Sequence, residues 1–194
     1  MLITSMLLYA FISSFTPGPN NIMAMYLAQK HGFRNTFAFC LGVGTGFFVI
    51  LLLCIYLNLW LKDLIPKIEF WMSIIGAAYM VYLGIKIIWS KEKGDRGNGE
   101  GESRFLTGML MQFINPKVIL YGLSVISVFV VPNGETSASV WFLAILLGFI
   151  GFAGTVSWSL FGAIFNKFLS KHSKSFNLLM FLLLMYCAYT ILKY

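Results

Sequence analysis

The stretch SFTPGPNNIMAM, Ser14–Met25, lies inside an apolar run that extends from Leu2 to Gln29. A run of that length suits a membrane span, which needs about 20 mostly apolar residues. Yet Pro17 and Pro19 flank Gly18, and proline removes a backbone donor and clashes with the preceding turn. Gly18 is expected to supply dihedrals that other residues avoid. The helix is therefore predicted to stop here and to restart with Pro19 near its first turn, Asn20 and Asn21 beside it. A second apolar run, Phe105–Val131, is interrupted in the same way at Asn115-Pro116-Lys117. There Asn115 suits an N-cap and Pro116 the first helical position.

Composition sets the solvent for these runs. Hydrophobic residues make up 59% of the 194 residues and charged residues 11%, with a mean hydropathy of +0.82. An ordinary soluble domain is about 45–50% apolar and about 25% charged. A soluble fold is excluded, and so is disorder, which requires low hydrophobicity. The net charge of +7 does not point to nucleic acid, because the basic residues sit in short loops between apolar runs. They read as orientation signals beside membrane lipid. No cleavable signal peptide is expected, since no Lys or Arg precedes Lys30 and the first apolar stretch is too long for an h-region.

Six spans follow: Leu2–Gln29, Thr36–Leu61, Phe70–Trp89, Phe105–Val131, Ala138–Phe165 and Phe176–Leu192. The longest connection, Ser90–Arg104, is Gly-rich and charged and reads as a flexible linker. Loops after spans one, three and five carry ten basic residues: Lys30, Arg34, Lys86, Lys91, Lys93, Arg96, Arg104, Lys167, Lys171 and Lys174. The opposite side carries three: Lys62, Lys67 and Lys193. That bias puts both termini outside the cell.

The chain also reads as two copies of one unit. Tyr79-Met-Val-Tyr82-Leu-Gly-Ile-Lys86 ends span three, and Tyr186-Cys-Ala-Tyr189-Thr-Ile-Leu-Lys193 ends span six. Spans two and five are rich in small residues, and spans one and four are the broken pair. A unit of three spans must enter the membrane the opposite way up when it is repeated. The predicted fold is an all-α integral membrane protein of six transmembrane helices in two inverted three-helix repeats, helices one and four broken by proline. It forms one transporter domain, with repeats at about 1–90 and 105–194 joined by the 90–104 linker. Interrupted segments in corresponding positions of inverted halves point to a transporter's binding site.

Each break presents a half-helix N-terminus with free N–H groups and partial positive charge. Lipid cannot satisfy such groups, so they face protein or a watery cavity. An anionic group is their natural partner. Lys117 is the one basic residue well inside a span, where burial costs at least about 2.5–3.5 kcal/mol on insertion scales. It suits a carboxylate, or a proton carried during transport; snorkelling to an interface is the plainer alternative. The small residues Gly42, Gly44, Thr45 and Gly46, with Gly148, Gly151, Gly154, Thr155 and Ser157, fit close helix packing. They also allow a narrow cavity to which Thr45 and Trp158 would contribute.

Other chemistry lacks its residues. Asp63, Glu69, Glu92, Asp95, Glu100, Glu102 and Glu135 all fall between spans or at their edges, and His31 and His172 lie in inside loops. A metal site or an acid–base hydrolase is not expected, so the chain reads as a non-enzyme with no cofactor. Cys40, Cys54 and Cys187 lie in apolar runs with no CxxC or metal-ligand spacing. They are read as buried small hydrophobes.

The stretches SFTPGPNNIMAM, HGFRN (31–35), GAAYMVYLGIKI (76–87) and QFINPKVILYG (112–122) resemble the LysE/RhtB amino-acid exporter family. Within it, TPGPNNIMAM with HGFR, NPKVILYG and the C-terminal LLLMYCAYTIL are most similar to the cysteine and O-acetylserine exporter branch. The resemblance covers essentially the whole chain. It implies export of a small neutral amino acid across the bacterial plasma (inner) membrane, driven by the proton gradient. Residue by residue, the motifs point to Thr16, Pro17, Gly18, Pro19, Asn20, Asn21, Asn115, Pro116 and Lys117 as substrate-binding. Many members have an acid in the Gly-rich second span where this chain reads Gly42-Val-Gly-Thr45-Gly46. That departure puts the proton-coupling group in doubt and makes a cationic substrate less fitting. A thiol–disulfide electron carrier and a passive channel are the rival readings. The sequence leaves the solute and oligomeric state open and admits a homodimer.

Overall fold

The computed structural model describes residues 2–56, 58–89, 101–126 and 137–193. Among them lie nine helices and no strand: α1 Leu2–Phe15, α2 Pro19–His31, α3 Phe33–Tyr56, α4 Asn58–Trp89, α5 Gly101–Ile114, α6 Pro116–Val125, α7 Ser137–Ile164, α8 Asn166–Lys171 and α9 Ser173–Lys193. The interruptions expected in spans one and four separate α1 from α2 and α5 from α6. Most of the Ser90–Arg104 linker, residues 90–100, lies outside the described residues.

Two elements differ from the sequence reading. The second apolar span was expected to run to Leu61 and the third to open at Phe70, but α3 ends at Tyr56 and helix α4 begins at Asn58. The polar residues Lys62–Glu69 suggest a loop only because they break the apolar run; a helix can carry polar residues beyond the apolar layer. Gly18 differs too. Its φ of −157° and ψ of 169° are extended backbone open to any residue, so the break does not depend on glycine's freedom there. The described glycine with positive φ is Gly32, at 82°, where the chain turns from α2 into α3.

Helices α3 and α7, each flanked by the other, form the middle of the bundle. Helix α3 packs on α5 and α7, α7 also packs on α1 and α2, and α4 pairs with α9. Small residues make the contacts close. A side chain on Gly42 would collide with the Phe105 carbonyl, and one on Gly46 would meet the Met109 carbonyl at 2.6 Å. From the other side Gly108 of α5 abuts the Phe39 carbonyl. Helix α7 uses Gly154 and Gly162 against the Ser14 and Met25 carbonyls of α1 and α2. Backbones can approach this nearly only where Cβ is missing.

The outer faces stay apolar. Phe142, Ile145 and Phe149 recur along one side of α7 at 66, 58 and 64% exposure. Soluble proteins rarely leave continuous apolar faces of this kind uncovered, whereas lipid suits them. Two described stretches, Phe33–Tyr56 and Trp141–Ile164, are each long and apolar enough to cross a membrane alone. The broken helices fall short of that length: α1 and α2 have 14 and 13 residues, α5 and α6 have 14 and 10.

Candidate functional site

Where α1 stops, its last carbonyl groups lose their helical partners. Side chains from three other helices replace them. Asn21 of α2 donates its Nδ2 to the carbonyls of Ser14 at 2.8 Å and Thr16 at 2.9 Å. Trp158 of α7 donates its indole N–H to the Phe15 carbonyl at 3.0 Å. Lys117 of α6 donates Nζ to the Ser13 carbonyl at 3.2 Å and to Thr16 Oγ1 at 3.1 Å. A cation is favoured at this end of a helix, because the peptide dipoles leave partial negative charge there. Lys117 is thus fixed at the break by acceptors with no formal charge.

The α5–α6 break is organised locally. Asn115 is extended, 4% exposed, and its Oδ1 accepts from the Lys117 backbone N–H at 3.2 Å. Pro116 takes the first helical position, as its fixed φ and missing donor favour. Helix α2 starts differently: Gly18 is its N-cap, Pro19 follows, and no side chain caps it. Its first-turn N–H groups retain their partial positive charge.

Both breaks border one cavity of about 60 Å³, whose walls include Gly18–Asn21, Asn115 and Lys117. Ser13, Ser14, Gln112, Tyr121 and Thr155 complete its polar lining, and among the described residues no Asp or Glu lines it. A second, larger cavity of about 370 Å³ shares Ser13, Gly18, Pro19, Lys117 and Tyr121 with the first. It extends between α1, α4, α6 and α9, past Tyr9, Ser73, Ser124, Tyr186 and Thr190. Lys117 and Tyr121 stand in the partition between the two.

The sequence-expected residues divide accordingly. Asn20, Asn21, Gly18, Pro19, Asn115 and Lys117 line the smaller cavity, and Pro17 lines the larger. Thr16 lines neither and holds Lys117. Trp158 is turned to the α1 carbonyl, outside both linings. Thr45 is exposed on the outer side of α3 and also lies outside both linings. Pro116 opens α6.

Sequence reasoning missed Gln112, Tyr121 and the polar role of Thr155. Gln112 is fully buried; its Nε2 donates to the Gly108 carbonyl at 3.0 Å and its Oε1 accepts from Asn20 Nδ2 at 2.9 Å. Thr155 donates to Asn21 Oδ1 at 3.3 Å and to the Gly151 carbonyl at 3.2 Å. An uncharged amide inside an apolar span, three residues before the second break, was the available signal for Gln112. Cys187, distant from both breaks in sequence, also lines the larger cavity. Cys40, Cys54 and Cys187 are buried free thiols. Among the described residues no three His, Cys, Asp or Glu cluster as a metal site would need.

A bundle of apolar helices, two of them broken around a small polar cavity that holds one lysine, has the build of a membrane translocator. The model of the LysE type translocator family matches residues 11–192, and the chain belongs to that family. It is 36% identical over 188 residues to a cysteine/O-acetylserine efflux protein of Shigella flexneri, covering 97% of this chain and 96% of that one. A protein of the same description from Escherichia coli strain K12 is 37% identical over 180 residues, 93% and 92% of the two chains. No solved structure matches the chain.

Proposed function

We propose that this protein exports small neutral amino acids of the cysteine or O-acetylserine type across the bacterial inner membrane, driven by the proton gradient. The carrying observation is Lys117 on the wall of a cavity that no carboxylate lines among the described residues, beside two half-helix N-termini. An amino-acid zwitterion needs its negative end neutralised in such a place, where an unpaired charge is costly. An ammonium has three donors. Lys117 spends two on Ser13 and Thr16, and the third is available to a substrate carboxylate. The relatives' names supply the substrate class.

The same reading includes six spans in two inverted repeats, with both termini outside. The packing supports it. Helix α3 lies on α5 through Gly42 and Gly46, while α7 lies on α1 and α2 through Gly154 and Gly162. Exchanging the two halves exchanges these contacts, and the α4–α9 pair maps onto itself.

Efflux of a labelled amino-acid panel, from cells with and without the protein, tests the proposal. Expected is faster efflux of small neutral amino acids only, abolished by a protonophore. Efflux that leaves concentrations merely equalised would favour a passive channel. A thiol–disulfide carrier predicts loss of activity on combining Cys40→Ala, Cys54→Ala and Cys187→Ala; an exporter retains it.

A further inference from the structure

A zwitterion has a second charge, and among the described residues no acid lines the cavity to receive it. Among the described residues two buried polar atoms of its lining residues have no partner, Asn20 Oδ1 and the Tyr121 hydroxyl, and of these only Oδ1 is purely an acceptor. Asn20 lines the cavity, and its Oδ1 is buried without a hydrogen-bond partner. An unsatisfied polar atom in such a place is costly, so a donor entering the cavity would stabilise it. Its orientation is not accidental. The Gly108 carbonyl can only accept, so the Gln112 amide must turn its NH₂ toward it, as it does at 3.0 Å. Gln112 Oε1 is thereby left facing Asn20 and demands a donor, which Asn20 Nδ2 provides at 2.9 Å. Reversing either amide would set two oxygens against each other. Asn20 Oδ1 is consequently held as an acceptor.

Lys117 is close by. The Cβ direction of Gly18, two residues before Asn20, meets Lys117 Nζ at 3.5 Å. One cavity thus combines a cationic donor with an acceptor whose direction is locked from behind, which is the polarity of an α-amino acid. The hydroxyl of Tyr121, also buried and without a partner, lines the same cavity.

We propose that Asn20 Oδ1 receives the substrate's ammonium group and that Gln112 is the positioning residue that aims it. This rests on the amino-acid reading of the site. It lets the described lining, which holds no acid, bind an ammonium, and it makes the amino group, as well as the carboxylate, a condition of binding.

The test uses the purified full-length protein and three probes: cysteine, cysteamine, which lacks the carboxylate, and 3-mercaptopropionate, which lacks the ammonium. Dissociation constants are read from ligand-induced thermal stabilisation. In Asn20→Leu the Kd for cysteine and cysteamine should rise at least about tenfold, while that for 3-mercaptopropionate stays within about twofold. Gln112→Leu should shift the same two ligands by less. The protonated carboxyl of Gln112→Glu can donate to the Gly108 carbonyl and still accept from Asn20, and so should restore most of the difference. Should Asn20→Leu not fold, Asn20→Ala replaces it: it removes the acceptor without adding bulk and should weaken the same two ligands. Equal weakening for all three probes, or none, overturns the assignment. So does a wild type that binds 3-mercaptopropionate as tightly as cysteine. A wild type that binds neither cysteine nor the two analogues overturns the amino-acid reading itself, and the assignment with it.

Discussion

On the proposed reading, Lys117 is the residue on which recognition turns. Its two contacts are neutral, the Ser13 carbonyl and Thr16 Oγ1, so the cation is anchored without being neutralised. Lys117→Met should weaken substrate affinity at least about tenfold, the range of a hydrogen bond to a charged group. Lys117→Arg should weaken it less. Amino-acid amides, which lack the carboxylate, should compete poorly with the wild type in transport assays. Equal competition by amides would remove the carboxylate role. The asparagines act differently. Asn115 caps α6 and borders the cavity, so Asn115→Ala should cost about 1 kcal/mol of helix stability and lower export as well. Asn20→Ala takes the donor from buried Gln112 Oε1, so it should cost about 1–3 kcal/mol of stability and lower export too. Export measured at matched membrane abundance separates the two effects, and normal export in both variants would dismiss the site.

At the scale of elements, the two broken helices were legible because proline and its neighbours act locally. Pro17 and Pro19 bracket a glycine, and Asn115 in front of Pro116 is a recognisable start; a lone proline is a weaker sign, since α4 runs through Pro66. The closure of α1 was not legible, because its partners come from elsewhere. Asn21 is local, but Lys117 and Trp158 reach Ser13 and Phe15 from 104 and 143 residues away. Nor could the sequence orient Thr45. Helix α3 is apolar on every side, so no periodicity distinguishes its buried face from its exposed one. Gly42 and Gly46 on α3, read only as small residues, prove to be where α5 comes closest. Gly46→Leu should force these helices apart and lower the melting temperature and membrane abundance, since the Met109 carbonyl lies 2.6 Å from its Cβ position. Gly148→Ala should be tolerated: the nearest atom to its added methyl is 3.6 Å away, on the Phe48 ring. Similar losses from both would contradict this account of the packing.

For the whole molecule, the proposal couples an inverted pair of halves to one site at their junction. Orientation is testable directly. On a background without native Cys, a Cys replacing Gly99 should resist an impermeant reagent in intact cells, and one at the C-terminus should react. The reverse pattern would invert the topology. Direction and energy source are the central claim. Inside-out vesicles from cells containing the protein expose its cytoplasmic side, and respiration acidifies their lumen. Labelled cysteine should accumulate in them above the external concentration, and a protonophore should release it. Accumulation that only reaches the external concentration, or that persists unchanged without the gradient, would contradict proton-driven export.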